Sequence, residues 1–318
     1  MKRVIVIGGS GFFGGLITAR LRAAGLEPIV ASRTHSELRL DADKPEDIRA
    51  HLKARDLVVD AAGPFQRRTT ALIDAARSIG FDVIDLSDSP EYTALVYERE
   101  APINAAGIRV LNSCSALSTV SAAILKSTPV EQPRRLSAYL VPATRYTATP
   151  ATMGAILTSL QPATRTFPFP RPIGRRTGVA MKSVDAITLH RKFSSLRTAE
   201  LFVDLSLPGG SLLLQTTRWA PMRAFIEKHQ SKFLKLAHTL GSRTGVLGYE
   251  IASQTKHKRY LFTGEKSHQI AVIPAVLAAM AIANGQFKPR GLIHPADHVD
   301  MNALFEAIRN EGITFIAG

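Results

Sequence analysis

The sequence has little cysteine, and this restricts both its chemistry and its environment. Cys114 is the only cysteine in 318 residues. One thiol excludes a disulfide within the chain and any metal cage built from several cysteines. Because such sparse cysteine use is typical of reducing compartments, we expect a cytoplasmic protein.

Long apolar runs are also missing. The longest, residues 270–283, contains Pro274 and is shorter than the ~20 residues that span a bilayer, so it predicts a buried helix. Lys2 and Arg3 precede an apolar stretch, as in a secretory signal, but no small-residue cleavage site follows. We therefore interpret the N-terminal stretch as part of the mature fold.

Acidic residues are scarce in one part of the chain. Residues 1–128 hold 16 basic and 15 acidic residues, residues 129–284 hold 21 and 7, and residues 285–318 hold 3 and 4. This excess favours an anionic substrate, an acidic membrane surface or nucleic acid. Because no zinc-finger or aromatic-basic RNA-binding motif is present, we expect an anionic small molecule and no specific nucleic acid.

Glycine is concentrated in a turn that follows the apolar run Val4–Ile7. The turn comprises Gly8, Gly9, Ser10, Gly11, Phe12, Phe13 and Gly14. Gly9, Gly11 and Gly14 fit G-x-G-x-x-G, in which glycines permit a tight turn, close approach to phosphate and close helix packing. An apolar-periodic segment follows, so the sequence predicts a pyrophosphate site at a helix N-terminus.

The end of the next predicted strand, residues 28–31, indicates which coenzyme binds. NAD-binding folds place an acidic residue there, whereas this chain has Ser32, Arg33 and Thr34. Because a guanidinium and two hydroxyls suit a 2′-phosphate, we predict NADP(H). The alternative is that Arg33 is only a solvated surface charge.

Residues 1–128 alternate short apolar runs with amphipathic segments, which predicts a Rossmann-type doubly wound parallel sheet. The predicted strands are 4–7, 28–31, 38–40, 57–60, 83–85 and 109–111, and the predicted helices are 47–53, 69–79 and 90–106. Prolines and basic charge then mark a second, mixed α+β domain over residues 129–284. Its predicted antiparallel strands are 135–141, 198–207, 246–253 and 258–263. Residues 285–318, with a helix at 301–310, are expected to fold back onto the first domain.

Several segments of the first domain resemble the saccharopine dehydrogenase-like (saccharopine reductase-like) NADP-binding oxidoreductase family. They are the glycine turn, SRT, DLVVDAAGPF at 56–65, GFDVIDLSD at 80–88 and CSALS at 114–118, with weaker similarity at 149–157 and 291–313. The resemblance implies a two-domain enzyme that transfers a hydride and forms homodimers. It also implies that the loop Ala62, Gly63, Pro64 and Phe65 lies beside the nicotinamide ribose. The middle segment matches no defined carboxylate-binding set, so the resemblance leaves the substrate open.

Catalytic candidates follow two predicted strands whose ends meet at one sheet edge. They are Asp88, Cys114 and Ser115, although Asp88 also suits helix capping and Cys114 also suits a small buried apolar residue. Arg145, Tyr146 and His190 are weaker candidates in the second domain. We predict no metal, since His294 and His298 lack a convincing third ligand.

The segment 218–240 predicts a basic amphipathic helix. Its apolar face comprises Trp219, Met222, Phe225, Ile226, Phe233, Leu236 and Leu240, and Arg223, Lys228, Lys232 and Lys235 occupy much of the rest. Such a helix either packs on the domain core or a dimer mate, which we favour, or lies peripherally on an acidic membrane. A lipid-like substrate is one version of the second possibility.

The function predicted overall is NADP(H)-dependent oxidation or reduction; the alternative is an NADP-binding redox sensor or scaffold without turnover.

Overall fold

The computed structural model describes residues 2–34, 36–170, 173–205, 210–217 and 219–318. The chain divides into two compact units, Met1–Ala123 with Gln269–Glu306 and Ile124–His268 with Ala307–Gly318. The sequence predicts changes at 128/129 and 284/285, whereas the units change at 123/124, 268/269 and 306/307.

The first unit is built on a seven-stranded sheet in the order β13-β6-β5-β4-β1-β2-β3, in which all neighbours are parallel. The strands are β1 Val4–Ile7, β2 Ile29–Ser32, β3 Leu38–Arg39, β4 Leu57–Asp60, β5 Asp82–Asp85, β6 Arg109–Leu111 and β13 Gly291–Leu292. The predicted doubly wound parallel sheet is confirmed. The strand order reverses between β1 and β4, which is where open parallel sheets form their ligand crevice.

Helices pack on both faces of this sheet. They are α1 Phe12–Ala23, α2 Pro45–His51, α3 Ala71–Ile79, α4 Pro90–Tyr97, α5 Glu100–Ala106 and α13 Ile273–Ala283. Two further helices, α6 Thr119–Ser127 and α14 Met301–Asn310, each contain a unit boundary. One core contains α1 and α13 residues, and the other contains α2 and α3 residues. The predicted buried helix at 270–283 is confirmed as α13.

The predicted helix 90–106 is instead two helices, separated at residues 98–99. Pro102 explains the restart. Proline has no N–H and is tolerated only in a helix's first turn, so the second helix begins just before it. In α5, Pro102 occupies that first turn.

The second unit contains a seven-stranded sheet in the order β14-β12-β11-β7-β10-β9-β8. Its strands are β7 Arg135–Val141, β8 Leu160–Pro168, β9 Arg175–Met181, β10 Thr198–Val203, β11 Gly245–Ala252, β12 His257–Gly264 and β14 Thr314–Ala317. The predicted mixed second domain is confirmed, with one correction: β7 and β10 are parallel, and the other neighbours are antiparallel. The predicted strand 198–207 ends at Val203, and residues 206–209 lie outside the described residues.

Strands β8 and β9 are not among the predicted strands. For β8 the reason is its content of Pro162 and Pro168, which are atypical of a central strand. β8 lies at the edge of the sheet, where proline is tolerated, and its register with β9 is irregular between Leu160 and Thr164. The tail is also divided between the units. Strand β13 pairs with β6, whereas β14 pairs with β12, where Phe315 stacks on Phe262 with ring centroids 4.7 Å apart.

The helices of the second unit are α7 Thr144–Thr147, α8 Pro150–Ser159, α9 Asp185–Thr188, α10 Gly210–Thr216, α11 Ala220–Lys228 and α12 Gln230–Leu240. The predicted amphipathic segment is therefore two helices, and residue 218 at its start lies outside the described residues. Among the described helices of the whole chain, none has the length and apolarity required to span a membrane.

Candidate functional site

The glycine turn connects β1 to α1 in a conformation that requires glycine at two positions. Gly8 has φ +75°, a region that side chains rarely adopt, and its N–H donates to Ala31 O at 2.8 Å. A Cβ on Gly14 would lie 2.0 Å from Gly8 O. The turn therefore brings the start of α1 against the end of β1, as the motif predicts.

The N-terminus of α1 is open toward an anion. Its N-cap, Gly11, has no side chain to accept from the first N–H groups, and the first turn contains no acidic residue. Ser10 and Gly11 are exposed. The first N–H groups of a helix have no acceptor within it, and its positive dipole end lies here, so this turn fits a pyrophosphate.

The end of β2, the strand beside β1, carries an exposed arginine. Arg33 and Thr34 are exposed, and Arg33 forms no ion pair with any residue that the structure describes. The following Glu37 is paired with Arg22 at 3.0 Å. An unneutralised guanidinium at this position suits a phosphate group.

Arg39 is a second cation at this strand end, and it is not among the site residues predicted from the sequence. It is paired in register with Ser32 across β2 and β3 and is exposed. Its signal in the sequence is weak, because a lone basic residue in a two-residue edge strand is an ordinary surface feature.

The loop after β4 lies on the other side of the switch point. Ala62, Gly63, Pro64 and Phe65 occupy it, the Gly63–Pro64 peptide is cis, and Phe65 is buried. Gly63 is exposed, its φ is not positive, and an added Cβ would have no heavy atom closer than 4.0 Å. Among the described residues, no contact therefore requires glycine at position 63, and the open space beside its Cα would admit a ligand.

Arg68 holds this loop in place, and it is not among the site residues predicted from the sequence. Its Nη1 donates to Ala62 O at 2.8 Å and its Nη2 to Asp60 Oδ2 at 2.8 Å, while Nε lies 3.0 Å from Asp43 Oδ2. Burial acts to lower the pKa of Arg68, but the Asp60 carboxylate outweighs it, and the pKa is raised. The guanidinium therefore stays charged and holds the loop to the end of β4.

The ends of β5 and β6 are joined through Asp85. Its buried carboxylate accepts from Asn112 Nδ2 at 2.9 and 3.1 Å, from Ser113 N at 2.8 Å and from Ser87 N at 3.0 Å. Burial raises the pKa of Asp85 to about 6, although these donors oppose the shift. The donors occupy both oxygens, so this carboxyl organises the strand ends.

Asp88 lies beyond β5 and keeps a solvent-exposed edge. Its Oδ1 accepts from Gln66 Nε2 at 3.2 Å, and its pKa is raised because surrounding protein removes part of the carboxylate's hydration. Capping of α4 is performed by Ser89, which accepts from Tyr92 N at 3.2 Å. The capping alternative for Asp88 was therefore wrong, and its acid–base role stays a prediction.

Cys114 and Ser115 lie in a tight turn after β6. Cys114 is fully buried, and burial raises the pKa of its thiol. A thiol in such surroundings stays protonated at neutral pH, which favours the packing role over a catalytic one. Ser115 is also largely buried. Ser113 at φ +56° and Ser118 at φ +66° flank the pair, and such left-handed non-glycine residues are typical of constrained functional turns.

The weaker candidates of the second unit have structural partners. Arg145 Nη2 donates to Thr239 O, and His190 Nδ1 lies 2.8 Å from Leu196 O. Tyr146 is 39% exposed, with its ring 5.7 Å from that of His268.

In the first unit, His298 is buried between Thr119 Oγ1 and Ile293 O. Among the described residues, no group of three or more His, Cys, Asp or Glu is arranged to hold a metal.

Part of the basic charge of the second unit is neutralised within its sheet. Glu250 is buried, and three guanidinium groups approach it: Arg259 Nε at 3.0 Å, Arg135 Nη2 at 3.4 Å and Arg165 Nη2. Because these arginines have an internal counter-charge, they are weaker candidates for holding an anionic substrate than the unpaired basic residues.

Comparisons with known proteins show weak structural similarity only. No protein-family model matches the chain, and no curated protein matches its sequence. UDP-N-acetylglucosamine 3-dehydrogenase GnnA from Acidithiobacillus ferrooxidans is 11% identical over 97% of this chain and 96% of its own, with a TM-score of 0.44. GenD2 from gentamicin A biosynthesis, in complex with NAD, is 13% identical over 100% and 97%, with a TM-score of 0.42. Biliverdin reductase from Synechocystis sp. PCC 6803, in complex with biliverdin and NADP+, is 14% identical over 96% of each chain, with a TM-score of 0.38.

Proposed function

We propose that this chain is an NADP(H)-dependent oxidoreductase of the saccharopine dehydrogenase-like type that transfers a hydride to or from an anionic small-molecule or lipid-like substrate. The observation that carries the proposal is the geometry at the switch point. There the uncapped N-terminus of α1 and the glycine turn lie between the Arg33 strand end and the open loop at Gly63. In a bound dinucleotide the glycine turn would contact the phosphates, the Arg33 strand end the adenine ribose, and the Gly63 loop the nicotinamide end.

The residues divide the work of binding. Gly8, Gly9, Ser10, Gly11, Phe12, Phe13 and Gly14 hold the pyrophosphate, Ser32, Arg33 and Thr34 the 2′-phosphate, and Ala62, Gly63, Pro64 and Phe65 the nicotinamide ribose. A bound nicotinamide supplies the hydride. The protein contributes orientation and a proton, for which the exposed Asp88 is better placed than the buried Cys114.

Titration of the purified protein with NADPH and NADH, followed by nicotinamide fluorescence, tests coenzyme choice. Arg33→Gln removes the proposed charged donor to the 2′-phosphate, and its loss should weaken NADPH binding by about tenfold or more while sparing NADH. Arg49→Gln, which alters another exposed arginine in α2, is the matched control and should change neither.

Gly63→Ala tests the nicotinamide loop separately from folding. Because Phe65 N, at 4.0 Å, is the nearest described atom to the added methyl apart from its chain neighbours, the melting temperature should be unchanged while NADPH affinity falls. Equal affinity of Gly63→Ala and the unsubstituted protein would remove this loop from the site. Tighter binding of NADH than of NADPH would contradict the coenzyme assignment.

A binding protein without turnover is the second candidate. It is favoured by the burial of Cys114 and by the full engagement of Asp85 with structural donors. Oxidation of NADPH in the presence of imines, enoyl thioesters and ketones distinguishes the two. Turnover that Asp88→Asn reduces identifies an enzyme, whereas tight NADPH binding without turnover on any class favours a sensor.

A further inference from the structure

Exposed apolar side chains are concentrated on the helix pair α11–α12. Trp219 is 65% exposed, Phe225 50%, Leu236 46% and Leu240 63%, and these are four of the seven large apolar residues exposed among those described. Only Ile226 and Ala237 of the two helices are buried. Four of the seven residues of the predicted apolar face are therefore left exposed by the part of the chain that the structure describes, and a cluster of this kind marks an interaction surface.

Ring contacts and hydrogen bonds fix the helices that carry these exposed residues. The Phe225 ring lies 4.4 Å from the His229 ring and 6.3 Å from the Phe233 ring, which joins the two helices across their junction. At the far end of α12, His238 Nδ1 lies 2.9 Å from Arg145 O, and Arg145 Nη2 donates to Thr239 O. The surface is thus anchored to α7.

Basic residues alternate along the chain with the residues of this apolar cluster. From Trp219 to Arg243 the chain contains five basic residues, with Glu227 as the single acidic one: Arg223, Lys228, Lys232, Lys235 and Arg243. None of the five forms an ion pair with a residue that the structure describes. Apolar and aromatic side chains beside unneutralised cations complement an interface that is apolar inside and anionic outside.

We propose that α11–α12, with Trp219 and Leu240 at its ends, docks on the surface of an anionic lipid bilayer. The apolar side chains insert at the level of the headgroups, and the lysines contact lipid phosphates or carboxylates. A second copy of this chain fits less well, because its own copy of this surface brings the same excess of positive charge. The proposal goes beyond the oxidoreductase function and does not depend on it.

Flotation of the full chain with phosphatidylcholine vesicles, with or without about 30% phosphatidylglycerol, tests docking. We expect binding to the anionic vesicles only, and we expect it to weaken as salt rises from about 0.05 to about 0.5 M. The double variant Trp219→Ser/Leu240→Ser removes two inserting side chains, and Lys232→Glu/Lys235→Glu reverses two charges. Each should lower the lipid partition coefficient by about tenfold or more.

Matched controls alter the same chemistry elsewhere. Leu95→Ser removes an exposed leucine from α4, and Lys44→Glu/Lys53→Glu makes the same change in net charge on the first unit. Both should float like the unsubstituted protein. Because every substituted side chain is exposed, circular dichroism and the melting temperature should be unchanged, which separates loss of docking from loss of folding.

Three results would overturn the proposal. The first is failure of the unsubstituted protein to float with anionic vesicles at low salt. The second is flotation that Trp219→Ser/Leu240→Ser leaves unchanged, since charge alone then suffices. The third is a concentration-dependent dimer, or a complex with single-stranded oligonucleotide, that the same variant abolishes while vesicles do not compete, which would assign this surface to that partner.

Discussion

Arg68 and Asp60 form a buried two-point contact beneath the loop that follows β4. Arg68 Nη2 lies 2.8 Å from Asp60 Oδ2, and Nη1 lies 3.2 Å from Asp60 Oδ1, with side-chain exposures of 6% and 0%. The same Nη1 donates to Ala62 O. One guanidinium therefore links the end of a central strand to the loop proposed to contact the nicotinamide ribose.

Arg68→Met should destabilise the protein and loosen this loop. Removing one member of a buried pair leaves an uncompensated carboxylate, which costs about 3–5 kcal/mol. Urea unfolding measures the loss in free energy of unfolding. NADPH titration at urea concentrations that leave the variant folded should show weaker binding than in the unsubstituted protein. Arg67→Met, at the exposed neighbouring position, is the control and should change both by little. Equal midpoints for the two variants would contradict the structural role of Arg68.

Gly14 and Gly15 should respond oppositely to the same substitution. A methyl on Gly14 would lie 2.0 Å from Gly8 O, whereas one on Gly15 would lie 3.7 Å from Gly9 O. Gly14→Ala should therefore lower stability by about 3 kcal/mol or more and abolish NADPH binding. Gly15→Ala should raise stability by about 0.5–1 kcal/mol, because alanine favours a helix interior. A native melting temperature for Gly14→Ala would show that the turn has room for a Cβ beside Gly8 O.

The first unit is largely predictable because its signals are local. A glycine turn after Val4–Ile7 and apolar runs at regular intervals specify strand, turn and helix within short windows. Arg68 could not be predicted in the same way, since its pairing with Asp60 and Asp43 depends on the spatial arrangement of three separate segments.

The second unit is harder to predict because strand direction is set by connections between distant segments. Strands β7 and β10 are separated by α7, α8, β8, β9 and α9, and no local pattern states that they are parallel. The exposure of Trp219 and Leu240 illustrates a different limit. Amphipathic spacing identifies an apolar face but does not reveal whether the same chain covers it.

Asn112→Ala should destabilise the protein more at high pH than at low pH. The folded pKa of Asp85, about 6, lies above its unfolded value, so the native state binds more protons between about pH 4 and 6. The stability that protonated Asp85 contributes is present below about pH 4 and lost as the pH rises through 6. Asn112 Nδ2 opposes this loss by donating to the carboxylate.

The expected difference between the unsubstituted protein and Asn112→Ala therefore grows by about 1–2 kcal/mol from about pH 5 to pH 8. Urea unfolding at each pH measures it. Asn104→Ala is the control, because the Asn104 amide oxygen accepts from Leu292 N rather than facing a carboxylate. Its effect should be the same at both pH values, and a pH-independent effect of Asn112→Ala would contradict the assignment.

His298 should stay neutral in the folded protein well into the acid range. Burial lowers its pKa to about 3, and its ring nitrogens lie 2.9 Å from Thr119 Oγ1 and 3.0 Å from Ile293 O. The unfolded state binds more protons between about pH 3 and 6.5, so the stability from neutral His298 is present above 6.5 and lost as the pH falls. The loss approaches about 1.4 kcal/mol per pH unit. In proton NMR of the folded protein, one imidazole signal, absent from His298→Gln, should keep its neutral position down to about pH 4. A midpoint near about 6.5 for that signal would mean that the ring is hydrated rather than enclosed.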